Sequence, residues 1–129
     1  MLLEAHNLIK SYQENQEPIL HDFSLEIESG QFIAIMGPSG CGKSTLLNLL
    51  STIDRPDQGQ ILYKGQDLLA MKNKDLDRLR REAFGFVFQQ ATFLKNLNIL
   101  DNICLSSIID KKGSERKEAY ERAKKLMAL

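Results

Sequence analysis

Cysteine is scarce in this chain of 129 residues, charge of either sign is not in excess, and no long apolar run occurs. The two cysteines, Cys41 and Cys104, are far apart and form no C-x-x-C pair. A zinc ribbon and a disulfide framework are thereby excluded, and a reducing compartment fits. Lysine plus arginine and aspartate plus glutamate both number 17, so the formal net charge is zero. Bulk charge therefore gives no attraction to nucleic acid or to an anionic membrane. No stretch approaches the ~18 consecutive apolar residues of a membrane-spanning helix. Met1-Leu2-Leu3-Glu4 lacks the basic start and apolar core of a secretory signal. No internal repeat or low-complexity tract is visible. What remains is 43% hydrophobic and 26% charged, the balance of a soluble globular domain or part of one.

The most informative stretch is Gly37-Pro38-Ser39-Gly40-Cys41-Gly42-Lys43-Ser44-Thr45, which fits G-x-x-x-x-G-K-[ST]. A chance match has odds of ~1 in 20,000 per starting position at ordinary residue usage. Its surroundings agree. Gln31-Phe32-Ile33-Ala34-Ile35-Met36 reads as a short buried strand, and Leu46, Leu49, Leu50 and Ile53 are spaced as one face of a helix. Strand, glycine loop and helix together form a P-loop. A phosphate chain needs many donors at close range, and backbone N–H groups supply them where no Cβ intervenes. Gly37, Gly40 and Gly42 meet that need, and the helix N-terminus adds its unpaired N–H groups. Lys43 is positioned to reach the β- and γ-phosphates, and Ser44 to give a hydroxyl to Mg²⁺.

Around this loop the expected order of elements is simple. Leu3, Ala5, Leu8 and Ile9 mark a first strand, and Leu20, Phe23, Leu25 and Ile27 alternate as a second, half-buried antiparallel one. A polar loop over 13–18 joins them. Residues 54–59 are dense in turn formers. Ile61-Leu62-Tyr63 and Gln66-Asp67-Leu68, joined by Lys64-Gly65, read as a hairpin. Asn73 is placed to cap a helix over 74–82. Phe84-Gly85-Phe86-Val87-Phe88 reads as a further buried strand. Asn98 with Asp101 resembles a capping box. Ser114 is placed to cap a last helix with Ala119, Ala123, Leu126 and Met127 on one face. Glu118 with Arg122, and Glu121 with Lys125, are i, i+4 pairs on that helix.

Lys10-Ser11-Tyr12, the P-loop, Gly59-Gln60-Ile61 through Gly65-Gln66-Asp67, and Gly85-Phe86-Val87-Phe88-Gln89 together resemble the ATP-binding subunit of ABC transporters. Within that family the likeness is to the lipoprotein-releasing and macrolide-exporter type. The resemblance implies an α/β fold of the P-loop NTPase kind, incomplete here. It would hold an antiparallel β subdomain, a P-loop strand–helix unit and the start of a helical subdomain. Residues 1–90 would be the nucleotide-binding core, and 91–129 the glutamine loop and the first part of the helical subdomain. The implied nucleotide-binding set is Tyr12, Gly37, Ser39, Gly40, Cys41, Gly42, Lys43, Ser44 and Thr45. Tyr12 matches the aromatic that stacks on adenine. Gln89 matches the glutamine that reaches Mg²⁺ and the attacking water, so Lys43 and Gln89 carry the catalytic roles and Ser44 and Gln89 the metal. Phe93, Leu94 and Leu97 fall in the region that docks a membrane partner. ATP and Mg²⁺ are the implied cofactors. A transmembrane permease and a second ATPase subunit are the implied partners, at the cytoplasmic face of the membrane, with no nucleic acid involved. Cys41 lies among the loop donors, where chemical modification would block the nucleotide.

The family pattern is not complete. The signature Leu-Ser-Gly-Gly-Gln, the Walker B aspartate with its neighbouring glutamate, and the late histidine are all missing. Leu105-Ser106-Ser107 is not the signature. Ile108-Ile109-Asp110 has too few apolar residues before the acid and is followed by Lys111. His6 and His21 both precede the P-loop. The chain is therefore expected to bind ATP at most, and two readings stay open. One is the N-terminal part of a transporter ATPase; the other is a truncated, non-catalytic ATP-binding or regulatory fragment. A GTPase is disfavoured, because Asn73-Lys74-Asp75-Leu76 puts the acid one place early for Asn-Lys-x-Asp.

Overall fold

Residues 1–12, 17–90, 92–109 and 112–128 are described in a computed structural model of the chain. Of the loop expected over 13–18, the first four residues lie outside the described residues, as do Asp110 and Lys111. The chain divides into two compact units, Met1–Gly85 and Phe86–Leu129.

In the first unit, β1 (Leu3–Lys10), β2 (Leu20–Ile27), β3 (Gln58–Tyr63) and β4 (Gln66–Asp67) make one antiparallel sheet. Their order is β2-β1-β3-β4. Alternation places Leu3 and Ala5 inward, and strict alternation would then bury Asn7. Instead the pairing shifts register there, Asn7 takes a positive φ of 51°, and Leu8 and Lys10 turn inward. Such a bulge inserts one residue and resets the phase. The Asn7 N–H donates to Ser24 Oγ (2.9 Å) and its Nδ2 to Asp22 Oδ1 (2.6 Å), so the extra residue keeps polar partners. Across the pair, Gly59 lies so near that a Cβ would stand 2.5 Å from the His6 carbonyl oxygen. The β3–β4 hairpin forms as read, pairing Leu62 with Asp67 and Tyr63 with Gln66.

Two helices belong to this unit, α1 (Lys43–Leu50) and α2 (Asn73–Ala83). Helix α1 buries Thr45 and places Leu46, Leu49 and Leu50 in the core formed with Leu3, Ala5, Leu8, Leu20, Ile61, Leu68 and Leu76. Ile53, expected on the same face, is 47% exposed because the helix has ended at Leu50. Asn73 is not a cap: the cap position falls to Lys72, whose carbonyl accepts from Asp75 and Leu76, and Asn73 is the first helical residue. Arg80 ties α2 to the end of α1 by donating to the Thr52 carbonyl (3.0 Å).

The stretch 31–36, read as a buried strand, carries no strand, and Phe32 and Met36 are 97% and 88% exposed. The cause is the lack of a pairing partner among the described residues. Apolar sequence alone does not make a strand, because its N–H and C=O groups need a neighbour to bond. Of its side chains only Ile35 packs on the core.

The second unit contains α3 (Ile99–Ile108) and α4 (Ser114–Met127), packed on each other. The segment 84–88, which runs into this unit, was likewise expected as a buried strand and forms none; Val87 is fully exposed and Phe86 stacks on Phe88. Asn98 caps α3 by accepting from the Asp101 N–H (2.8 Å). The Asp101 carboxylate does not complete the box; it accepts from the Tyr120 hydroxyl (2.6 Å) and so joins α3 to α4. Cys104 and Ala123 are buried, while Leu126 and Met127 are about half exposed. Ser114 is not a cap either, since Gly113 holds that position without a side chain to offer. Glu121 pairs with Lys124 (2.9 Å), one residue closer than the expected Lys125.

Candidate functional site

The glycine loop lies exposed at the N-terminus of α1. Gly42, at φ 90°, is the residue from which the helix starts, and its carbonyl accepts the first helical bond from Leu46 (2.8 Å). A side chain there would be strained by the positive φ and would meet Ile19 Cγ2 at 2.9 Å and the Ile19 carbonyl at 3.2 Å. The loop is thus pressed against the chain entering β2, which fixes where it begins. At the other end a Cβ on Gly37 would sit 2.6 Å from Cys41 Sγ, so the loop closes on itself there and a larger residue would have to turn the Cys41 side chain away.

Lys43 folds back across this loop. Its ammonium donates to the carbonyls of Gly37 (2.9 Å) and Pro38 (2.6 Å), with Cys41 Sγ at 3.7 Å. One cation is therefore held at the loop's mouth by acceptors that a phosphate oxygen can replace, and such charge-assisted bonds are the stronger kind. Ser44 is exposed beside it, and Thr45 is buried against the core. Ser39 and Gly40 are exposed on the loop. The cradle and its single cation suit a phosphate chain. The Ser44 hydroxyl is a hard oxygen donor of the kind Mg²⁺ accepts while keeping water and phosphate ligands.

Tyr12 is 55% exposed just beyond β1 and is held by Lys10 and by Asp54 from the turn-forming stretch 54–59. Its hydroxyl donates to Asp54 Oδ2 (3.0 Å), and Lys10 Nζ lies 5.1 Å from the ring centroid. Lys10 is 8% exposed and donates to Asp54 Oδ1 (3.1 Å) and to the Arg55 carbonyl (2.7 Å). Asp57 Oδ2 accepts from the Ser11 N–H (2.7 Å). Burial pushes the Asp54 carboxyl up, but hydrogen bonds from the Arg55 N–H, Lys10 and Tyr12 together hold it below its ordinary value. The signal in the sequence was Lys10 two residues before Tyr12, with two acids at the end of the P-loop helix. It was not legible without the sheet that brings residues 10 and 54 together.

Gln89 lies in the second unit and is exposed, as are Phe93 and Leu94, while Leu97 is half-buried. There Asn102 binds the loop preceding α3, accepting from the Leu94 N–H (2.8 Å) and donating to the carbonyls of Leu94, Leu97 and Asn98. No helix among the described residues is long and apolar enough to cross a membrane.

The model of the ABC transporter family matches residues 20–129. The chain belongs to the ABC transporter family. It is 41% identical over 132 residues to an uncharacterized ABC transporter ATP-binding protein of Methanocaldococcus jannaschii, covering 99% of this chain and 57% of that one. To the macrolide export ATP-binding/permease protein MacB of Marinobacter nauticus it is 40% identical over 128 residues, 98% of this chain and 20% of that protein. Among solved structures it is similar to the dimeric ATP-binding cassette MJ0796 in a post-hydrolysis state bound to ADP and Pi. That match has a TM-score of 0.86 at 32% identity and covers 98% of this chain and 56% of the other. This ABC family chain therefore has the α/β architecture of an ATP-binding cassette. It spans about half the length, or less, of the relatives it matches.

Proposed function

We propose that this chain is the P-loop-bearing part of the ATP-binding subunit of an ABC transporter, and that it binds ATP with Mg²⁺. The observation that carries the reading is Lys43, drawn across a glycine loop at a helix N-terminus by two carbonyls it can exchange for phosphate oxygens. The backbone N–H groups of Gly37 and of Ser39 through Thr45 cradle the phosphates; Lys43 neutralises them; Ser44 holds the metal; Tyr12 carries the adenine. When bound, Mg²⁺ would be held by Ser44 and Gln89 and would supply positive charge that offsets the phosphates. Gln89 orients water near the metal and passes the state of the site toward a permease. Residues 1–90 act as the nucleotide-binding core and 91–129 as the start of the helical subdomain.

In the larger family machine the partners are a transmembrane permease, at the cytoplasmic face of the membrane, and a second ATPase subunit. Dimeric cassettes among the structural relatives support the latter. The 129 residues contain no signature, Walker B pair or late histidine. Turnover by these residues alone is therefore expected to be negligible; a second reading is a non-catalytic ATP-binding fragment. Reading the coding sequence past Leu129 separates the two: an in-frame signature and Walker B supports the first, a stop codon the second. For binding itself, the affinity of Lys43→Ala for ATP decides. Equal affinity in the variant and the unaltered chain would mean that the loop is not a phosphate site.

A further inference from the structure

A platform for a nucleobase works only if its ring is already where the base will land. An exposed tyrosine samples several rotamers, and fixing one costs free energy at the moment of binding. Tyr12 is not left to sample. Its hydroxyl is bonded to Asp54 Oδ2, its ring has the Lys10 ammonium 5.1 Å from the centroid, and the backbone N–H just before it is bonded to Asp57 Oδ2. Lys10 is buried and held by Asp54 Oδ1 and the Arg55 carbonyl, so it is committed to this cluster and not to the phosphate loop. The Asp57 N–H also donates to the Ile9 carbonyl (2.9 Å), closing the segment 54–57 onto the end of β1 from both sides.

This segment directly follows the P-loop helix. The Ile53 and Asp54 N–H groups both donate to the Asn48 carbonyl near the end of α1 (2.9 and 3.1 Å). One short rigid helix thus carries the phosphate loop at its start and the anchor of Tyr12 at its end.

We propose that Asp54, with Lys10, is a positioning residue that pre-orders Tyr12 for the nucleobase, so that it sets affinity for the base and not for the phosphates. The inference rests on the reading of Tyr12 as the adenine platform. Tyr12→Phe is the sharpest probe, because it keeps the ring and removes only the bond to Asp54.

The test measures binding of MgATP and of inorganic tripolyphosphate to the purified protein by calorimetry. Tyr12→Phe and Asp54→Ala each weaken ATP by about three- to tenfold, the net range of an ordinary hydrogen bond, and leave tripolyphosphate unchanged. The double variant is no weaker than Asp54→Ala alone, because both changes cut the same contact. Tyr12→Ala weakens ATP further, by losing the ring itself.

If Tyr12→Ala loses ATP while Tyr12→Phe binds it as the unaltered protein does, the platform stands and the positioning role is overturned. Equal losses of both ligands in Asp54→Ala would also overturn it, showing a general structural effect. Should that variant not fold, Tyr12→Phe decides alone. ATP affinity untouched by Tyr12→Ala removes the platform, and the inference with it.

Discussion

Three single residues carry chemistry that can be measured directly. Lys43 makes two charge-assisted bonds to loop carbonyls, and exchange for phosphate oxygens is worth about 1.5–3 kcal/mol of affinity. Lys43→Ala is accordingly expected to weaken ATP by roughly tenfold to a hundredfold in a titration. Cys41 is exposed, its sulfur near both the Gly37 Cα region and the Lys43 ammonium. Alkylation there fills the cradle, so complete modification should abolish ATP binding while Cys41→Ser resists the reagent; unchanged affinity after modification would refute it.

Asp54 gives a pH prediction. Its carboxyl is held below the ordinary 3.8, so the folded chain binds that proton less tightly than the unfolded one. Its stabilising share is complete above about pH 3.8 and is lost as the pH falls through the lower folded value. Lys10 and Tyr12 donate to it, and Asp57 lies 4.0 Å from the same Lys10 ammonium. Acid unfolding of Asp54→Asn should therefore differ from that of the unaltered chain above the window and converge with it below.

At the scale of elements, periodicity predicted β1, β2, the β3–β4 hairpin and α1, because alternation and 3.6-residue spacing follow from backbone geometry alone. It did not reveal the bulge at Asn7. Nothing in Leu3-Glu4-Ala5-His6-Asn7-Leu8 announces a skipped residue until β3 lies alongside. Gly59 is the price of that close approach: Gly59→Ala combines a φ of 103° with a Cβ 2.5 Å from backbone oxygen. A loss of about 2 kcal/mol or more is expected in denaturant unfolding; a change within about 0.5 kcal/mol would show that the bulge yields easily. The caps divided along the same line. Asn98 was legible because its side chain bonds locally, three residues on. Asn73 and Ser114 were not, since backbone conformation at Lys72 and Gly113 decided where those helices start.

Across the whole molecule, the notable surface is the apolar stretch 31–36, with Phe32 and Met36 almost wholly exposed and its backbone outside any sheet. A chain with zero formal charge has little repulsion to keep such surfaces apart. These 129 residues by themselves are expected to associate as concentration rises, and to unfold with low stability. Sedimentation velocity across a concentration series tests this; a clean monomer with cooperative, substantial stability would overturn it. Replacing Phe32 by Lys should reduce the association.

The sequence by itself determined the glycine loop, its helix and the antiparallel strands, because each depends on residues within one turn or one alternation of each other. It also carried the family, through motifs in fixed order. Tertiary structure alone decided that 31–36 and 84–88 form no strand, because a strand exists only with a neighbour to bond. It alone showed that Lys10, Tyr12, Asp54 and Asp57 form one cluster. Lys10 and Tyr12 are more than forty positions from Asp54 and Asp57 in the chain, and the sheet's pairing of β1 with β3 closes that distance.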